Sequence, residues 1–271
     1  GSAYAAVTSG ASGSATPTSG KIASLSSPSE AVGAFVIDDS GSEKLRSGDG
    51  SLTVSTTATV TSGTLAGHTV TFKIAENGAN TLDSAARVTS GGKTLSNSSA
   101  ATVQSITVTA VTDADGVAKV TLSYTGLKAT NALDISVTGL GASATITGAA
   151  NTFTGQDSVA TVVNDTVYGG KLGVVKGSSL SINYNVVDQF GQVPSGTFRL
   201  VISENSSDAN FTANVNVTSG AAAFSTTENS ASANAYTVTA TAQKQATDGT
   251  WGAIGGGLTT TTLVEAYASA P

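Results

Sequence analysis

The chain has 271 residues, a formal net charge of −6 and a pI near 4.6, which disfavours nucleic acid and anionic membranes, because both need a basic patch to bind. Hydrophobic residues reach 39% while charged ones stop at 11%; disorder needs the opposite balance, so the chain should fold, under a surface of Thr, Ser, Asn and Gly. Cysteine is absent, which excludes a disulfide framework and thiolate metal sites, and no apolar run reaches the ~20 residues of a membrane helix.

β-Branched Thr and Val are abundant, whereas good helix formers are scarce and Met is missing, so strands are expected almost throughout. No signal peptide is evident, and Gly1-Ser2 without an initiator Met reads as a processed chain or an excised piece. Residues 1–20, small, polar and Gly-rich, read as a flexible lead-in. Alternation then sets in. Leu52, Val54, Thr56 and Ala58 share one strand face, followed by Val70, Phe72 and Ile74. Next come Ile106, Val108 and Ala110, then Ala118, Val120, Leu122 and Tyr124, then Leu133, Ile135 and Val137. Turn formers separate these runs, among them Asn77-Gly78, Gly91-Gly92 and Asp115-Gly116. The second half continues with Leu180, Ile182, Tyr184 and Val186, then Phe198, Leu200 and Ile202. Phe211, Ala213, Val215 and Val217 follow, then Ala222 and Phe224, then Tyr236, Val238 and Ala240.

The halves repeat one another. Leu52 aligns with Leu180 and Glu76-Asn77 with Glu204-Asn205, both at an offset of 128. The offset shrinks to 103 where Leu133, Ile135 and Val137 are set against Tyr236, Val238 and Ala240. The first half thus carries an insertion of about 25 residues, placed near residues 87–100. A repeat of this period means tandem domains, here 21–150 and 151–271, with the boundary within Gly148–Gln156.

Two local signatures carry a resemblance. Val187-Asp188-Gln189-Phe190-Gly191-Gln192-Val193-Pro194-Ser195-Gly196 leads into the alternating Phe198, Leu200 and Ile202. Thr112-Asp113-Ala114-Asp115-Gly116-Val117 leads into a late strand. Both are similar to turns of bacterial immunoglobulin-like domains of the invasin type. That resemblance implies an all-β fold of two tandem immunoglobulin-like β-sandwich domains. In composition the whole chain also resembles surface-layer (S-layer) proteins, which are acidic, free of Cys and rich in Ala, Thr, Ser, Val and Gly. This second resemblance implies an extracellular coat subunit with lateral self-contacts, and calcium at domain junctions.

Catalytic chemistry finds little support. The one histidine, His68, comes just before a strand, and no positioned nucleophile or orienting carboxylate accompanies it in sequence. HExxH, GxSxG and phosphate-binding glycine patterns are missing. Calcium is the one cofactor for which candidate ligands exist: Asp38 and Asp39 with Glu43, Asp113 with Asp115, and Asn164 with Asp165. The Asp113–Asp115 loop reads equally as a hairpin turn braced by Asp and Gly. Glycosylation sequons begin at Asn97, Asn164, Asn205, Asn210 and Asn216, and Trp251 reads as a plug at a sandwich end or a sugar-stacking platform. Three functions suit this picture: a tile in a surface coat, a spacer in an adhesin stalk, or a carbohydrate-binding module.

Overall fold

The structure, a computed structural model, describes residues 20–31, 43–97, 102–165, 171–205, 211–229, 235–254 and 258–268. The chain divides into two units, Gly1–Asp157 and Ser158–Pro271.

Unit 1 contains β1 (Ile22–Leu25), β2 (Ser29–Glu30), β3 (Glu43–Arg46), β4 (Gly48–Val60), β5 (Thr69–Glu76) and β6 (Arg87–Ser90). It continues with β7 (Lys93–Leu95), β8 (Ser105–Val111), β9 (Val117–Leu127), β10 (Ala132–Leu140), β11 (Thr145–Thr147) and β12 (Asn151–Gln156). One sheet runs β1-β4-β9-β6-β7 with β2 also on β4; the other runs β3-β12-β10-β5-β8 with β11 on β10. Alternation decides what lies between them. Leu52, Val54, Thr56 and Ala58 on β4 all face inward, and Val70, Phe72 and Ile74 on β5 are wholly buried. They meet Val120, Leu122, Ile135, Val137 and Phe153 in one apolar core.

Unit 2 contains β13 (Thr161–Asn164), β14 (Lys171–Val175), β15 (Ser179–Val187), β16 (Phe198–Glu204) and β17 (Thr212–Asn216). It ends with β18 (Ala221–Thr227), β19 (Ala235–Gln245), β20 (Trp251–Ala253) and β21 (Thr259–Tyr267). Its sheets run β13-β15-β18 and β14-β21-β19-β16-β17, with β20 on β19. Leu180, Ile182, Tyr184, Leu200, Ile202, Phe224, Val238 and Val264 form its core. In both units the opening segment is shared between sheets: β1 pairs with β4 and β13 with β15, while β3 and β14 pair parallel to the last strand.

The repeat is real, but its register differs from the sequence expectation. Ile74 lies opposite Ile135 and Ile202 opposite Ala240, so the late strands correspond at an offset of 105, not 103. Alternation alone is blind to a slip of two residues, since it returns the same face. The inserted segment is also longer than residues 87–100. Phe72 pairs with Val108, 36 residues on, whereas Leu200 pairs with Val215, 15 residues on. The extra 21 residues lie between β5 and β8, and they supply the β6–β7 hairpin that pairs onto β9. The division between units moves as well. Residues 151–156 form β12, which pairs with β10 and β3 and buries Phe153 completely in the first core. The break accordingly falls after Asp157 rather than at residue 150.

Candidate functional site

Three turns share one backbone design. In Asp113–Val117 the N–H of Asp113 donates to the Val117 carbonyl at 2.9 Å, and the N–H of Gly116 donates back to the Asp113 carbonyl at 3.0 Å. Asp188–Gln192 repeats both bonds at 2.8 and 3.0 Å, and Ala246–Thr250 at 2.8 and 2.9 Å. The fourth residue of each is a glycine with φ between 74 and 89°. Each is a three-residue turn closed by a left-handed glycine; Ala246–Thr250 joins the paired strands β19 and β20, whereas the other two carry the chain from one sheet to the other. Asp113 Oδ1 accepts from the N–H groups of Asp115 and Val117, at 2.9 and 3.0 Å. Asp188 Oδ1 accepts identically from Phe190 and Gln192, both at 2.9 Å, while its Oδ2 accepts from Ser158 Oγ at 2.9 Å. The two signatures read from the sequence are therefore one motif used at different connections, β8–β9 in unit 1 and β15–β16 in unit 2.

The glycines in these turns should not respond alike to alanine. A Cβ on Gly116 would lie 2.8 Å from the Ala58 carbonyl oxygen, whereas one on Gly249 would meet nothing within 4 Å. Gly249→Ala is expected to cost about 1 kcal/mol of left-handed strain, and Gly116→Ala about 2–4 kcal/mol because backbone must also move. Thermal melts of the two variants check the ranking.

Among the described residues the calcium candidates do not converge. Asp38 and Asp39 lie outside the described residues. Glu43 opens β3, and its charge is felt by Glu30 on β2. Asp113 braces its turn as described, with Asp115 exposed at the tip. Asn164 ends β13 and donates through Nδ2 to Thr262 Oγ1, and the Asp165 N–H donates to the Asn183 carbonyl at 2.8 Å. Among the described residues no group of three or more His, Asp or Glu side chains is placed to hold a metal.

His68 is buried at the end of β5, just before Thr69. Its Nε2 donates to the Thr64 carbonyl at 2.9 Å, and its backbone N–H donates to Thr112 Oγ1 at 2.9 Å, so it fastens the loop before β5 to the end of β8. Trp251 is not part of the unit 2 core. It lies on β20 with the Arg199 guanidinium 4.5 Å above its ring, and Arg199 Nε is itself held by Gln243 Oε1 at 2.8 Å. One ring face is thereby occupied by a cation, and Trp251 does not plug the core. At the sequons, Asn97 Nδ2 donates to the Leu82 carbonyl at 2.7 Å and Asn205 Oδ1 accepts from the Thr237 N–H at 2.8 Å, while Asn216 is exposed on β17. Asn210 lies outside the described residues.

No family model and no curated relative matches the chain. Among solved structures it is similar to the fibronectin(III)-like modules of CbhA from Clostridium thermocellum, at 10% identity and a TM-score of 0.27, covering 88% of this chain and 93% of that one. The Yersinia pseudotuberculosis adhesin InvE is similar at 15% identity and a TM-score of 0.24, over 86% of this chain and 61% of its own. For the Escherichia coli adhesin FdeC the figures are 13%, 0.28, 84% and 62%. The chain thus spans about three fifths of the two adhesin structures. What decides the fold is the strand order, found twice: β4 pairs with β9 in one sheet facing β12-β10-β5, and β15 pairs with β18 facing β21-β19-β16. Both units are immunoglobulin-like β-sandwiches.

In the second sandwich a tyrosine ties the corner between the two sheets. Tyr236, near the start of β19, donates its hydroxyl to Glu228 Oε2, and Glu228 is buried and anchored to Ser178 through its own N–H at 2.9 Å. Burial, and then the hydrogen bond to the Glu228 carboxylate, hold the Tyr236 hydroxyl well above the usual phenol range. Tyr184 is the contrasting case. It is almost wholly buried, and burial pushes its hydroxyl up to about 12. Thr262 Oγ1 lies nearby but already accepts from Asn164, and the Tyr184 hydroxyl makes no hydrogen bond of normal geometry. Removing an unsatisfied buried hydroxyl sheds its desolvation cost. Tyr184→Phe is therefore expected to be neutral or to stabilise unit 2 by up to about 1 kcal/mol, read from its urea midpoint; a loss above that range would show that the hydroxyl is bonded.

Proposed function

We propose that the chain is a structural segment of a self-assembling extracellular coat, its two immunoglobulin-like sandwiches serving as tiles that meet neighbours through strands and loops. The observation that carries this reading is the chemistry of the outward strand faces. On β4, Thr53, Ser55 and Thr57 point away from the core, and on β15 and β18 the outward residues are Ser179, Ser181, Asn183, Ala223, Ser225 and Thr227. Small hydroxyl side chains bond across strands there, as Thr53 to Thr121 at 3.2 Å and Ser179 to Ser225 at 3.1 Å. Such faces suit close packing of like subunits, since they bring little charge repulsion and little side-chain entropy to lose. An outward face meant to remain solvated usually carries Lys and Glu.

The test is antibody raised against this chain, with immunogold label imaged on intact cells of the source organism. Dense, regular label over the whole envelope is the expected result. Sparse label, or label on projecting fibres, overturns the coat and leaves the spacer of an adhesin stalk as the account.

A further inference from the structure

The two sandwiches treat one edge differently. In unit 1 the strand β9 has a neighbour on each side: β4 on one and the inserted β6 on the other, with Thr89 opposite Ser123 and the Ser90 hydroxyl donating to the Thr121 carbonyl at 2.8 Å. Its counterpart in unit 2 is β18, because Ser51 pairs with Ser123 as Ser179 pairs with Thr227. Among the described residues no hairpin is inserted there, and β18 ends its three-stranded sheet. Among the described residues, nothing pairs with its outer side beyond the Thr218–Ala221 bridge at its start.

Which backbone groups point outward follows from the ladder. The Glu228 N–H donates to Ser178 and its carbonyl accepts from Gly177, so Glu228 faces β15. Alternation then turns Thr226, Phe224 and Ala222 toward β15, and Ala223, Ser225 and Thr227 away from it. The stretch Ala221–Thr227 contains no charge, no proline and no bulge in its pairing with β15. Those are the devices by which an exposed edge is normally blocked.

We infer that the outer edge of β18 is a strand-addition site whose occupant is β18 of a second copy of this chain. Antiparallel pairing centred on Ser225 sets Ala223 against Thr227 in both directions and Ser225 against itself, using all three outward N–H and carbonyl groups of each copy. Two observations favour a second copy. The chain is acidic, with a net charge of −6, yet this strand brings no like charge to a contact with itself. And the matching edge in unit 1 is already filled by a Val/Thr/Ser strand of the same chain, Arg87–Ser90, in the same antiparallel sense. The pairing fuses two three-stranded sheets into one of six. It rests on the coat reading for its role and gives that reading a specific lateral contact, a form of β-augmentation.

The experiment is sedimentation equilibrium of the 271-residue chain over a range of concentrations, with amide exchange followed by NMR in the same samples. A weak reversible dimer is expected, in which the Ala223, Ser225 and Thr227 amides become protected as concentration rises. Ser225→Pro removes an outward N–H and keeps the backbone bonds to β15, losing only the hydroxyl's side-chain bonds to Ser179 and Ser181, and should weaken the dimer at least about tenfold with the chain still folded. Ser225→Lys should do the same by setting two like charges directly opposite each other, should the proline disturb folding. Ser181→Lys, on the same face but one strand inward, should leave the dimer intact. A chain that stays monomeric, a dimer indifferent to both β18 variants, or the three amides exchanging equally at all concentrations would each overturn the proposal. Regular label on cells together with a monomeric chain sinks the β18 contact and keeps the coat; a β18-dependent dimer with sparse label does the reverse.

Discussion

Replacing Glu76 with alanine is expected to destabilise unit 1 by about 3–5 kcal/mol and to lower its melting transition by about 10 °C, leaving unit 2 unchanged. Glu76 ends β5 at the point where the 21 extra residues begin, and its side chain is buried. Oε1 accepts from the Leu82 N–H at 3.1 Å, near the start of the inserted segment, and Oε2 accepts from the Gln104 N–H at 2.9 Å, at its end. One carboxylate thus closes the loop through both oxygens. Its backbone adds a third bond, from the Glu76 N–H to the Gln104 carbonyl at 2.9 Å. Truncation strands two amide donors, one of them on buried Leu82, and each costs about 1–3 kcal/mol when left without an acceptor. Glu76→Gln tests the mechanism more sharply. The amide can accept from only one of the two N–H groups and turns an NH₂ toward the other, so it should recover less than half of the loss. Calorimetry of the whole chain reads both variants. A Glu76→Gln variant as stable as the parent would mean that the loop is held by its apolar anchors, Leu82, Ala86, Val88 and Leu95, and not by the carboxylate.

The sequence makes the strands and their inward faces legible because a half-buried strand writes its burial into every second residue. The all-β class follows from those runs and their turns, and the immunoglobulin-like sandwich from the resemblance carried by two of the turns; the two sandwiches bear both out. Register and ownership were not legible, for physical reasons. A two-residue slip preserves the buried face, so the offset of 103 satisfied the pattern as well as the true 105. Asn151–Gln156, with the single large apolar residue Phe153, is too short and polar to reveal which core it completes; pairing to β10 and β3 decides that. The acidic candidates show a related limit. Asp113 and Asp188 look alike in sequence as Asp-x-x-Gly turns, and only the structure shows their carboxylates serving the same backbone N–H groups in both. Glu76 and Glu204 align in the repeat, yet nothing in their neighbours told that the first would clasp an insertion. The open edge of β18 is legible only by comparison with β9, once both sheets are laid out.

Raising the pH from about 4.5 to about 7 is expected to weaken unit 1, and the cause is Glu30. Its carboxyl, half-buried on β2 opposite Val54, is raised from 4.5 to about 7, first by burial and second by the charge of Glu43 on β3. Tyr124 is a further titratable neighbour: its hydroxyl, pushed up to about 12 by burial, feels Glu30 as well as Arg46. Below pH 4.5 the group is protonated in the folded and the unfolded chain, and the stability is fully present. Between 4.5 and about 7 the unfolded chain ionises while the folded chain keeps its proton, so stability is lost as pH rises through that window. The whole interval would be worth about 3.4 kcal/mol for a fully buried group. Solvent screens a half-buried one, so about 1–2 kcal/mol is expected, a fall of several degrees in the unit 1 transition. Asp83 has the opposite sign: hydrogen bonds from Lys128 and Asn131 hold it below its usual range, so its contribution disappears only on the acid side, as pH falls below about 4. The two effects occupy separate windows and can be read apart. Glu30→Gln should flatten the curve between pH 4.5 and 7 and leave the acid limb in place, making the variant more stable than the parent at pH 7. Glu43→Gln should act more weakly and in the same direction, since it relieves the second cause and not the first. Thermal melts across pH 4–8 decide the matter, and a Glu30→Gln curve parallel to the parent would place the pH response elsewhere in unit 1.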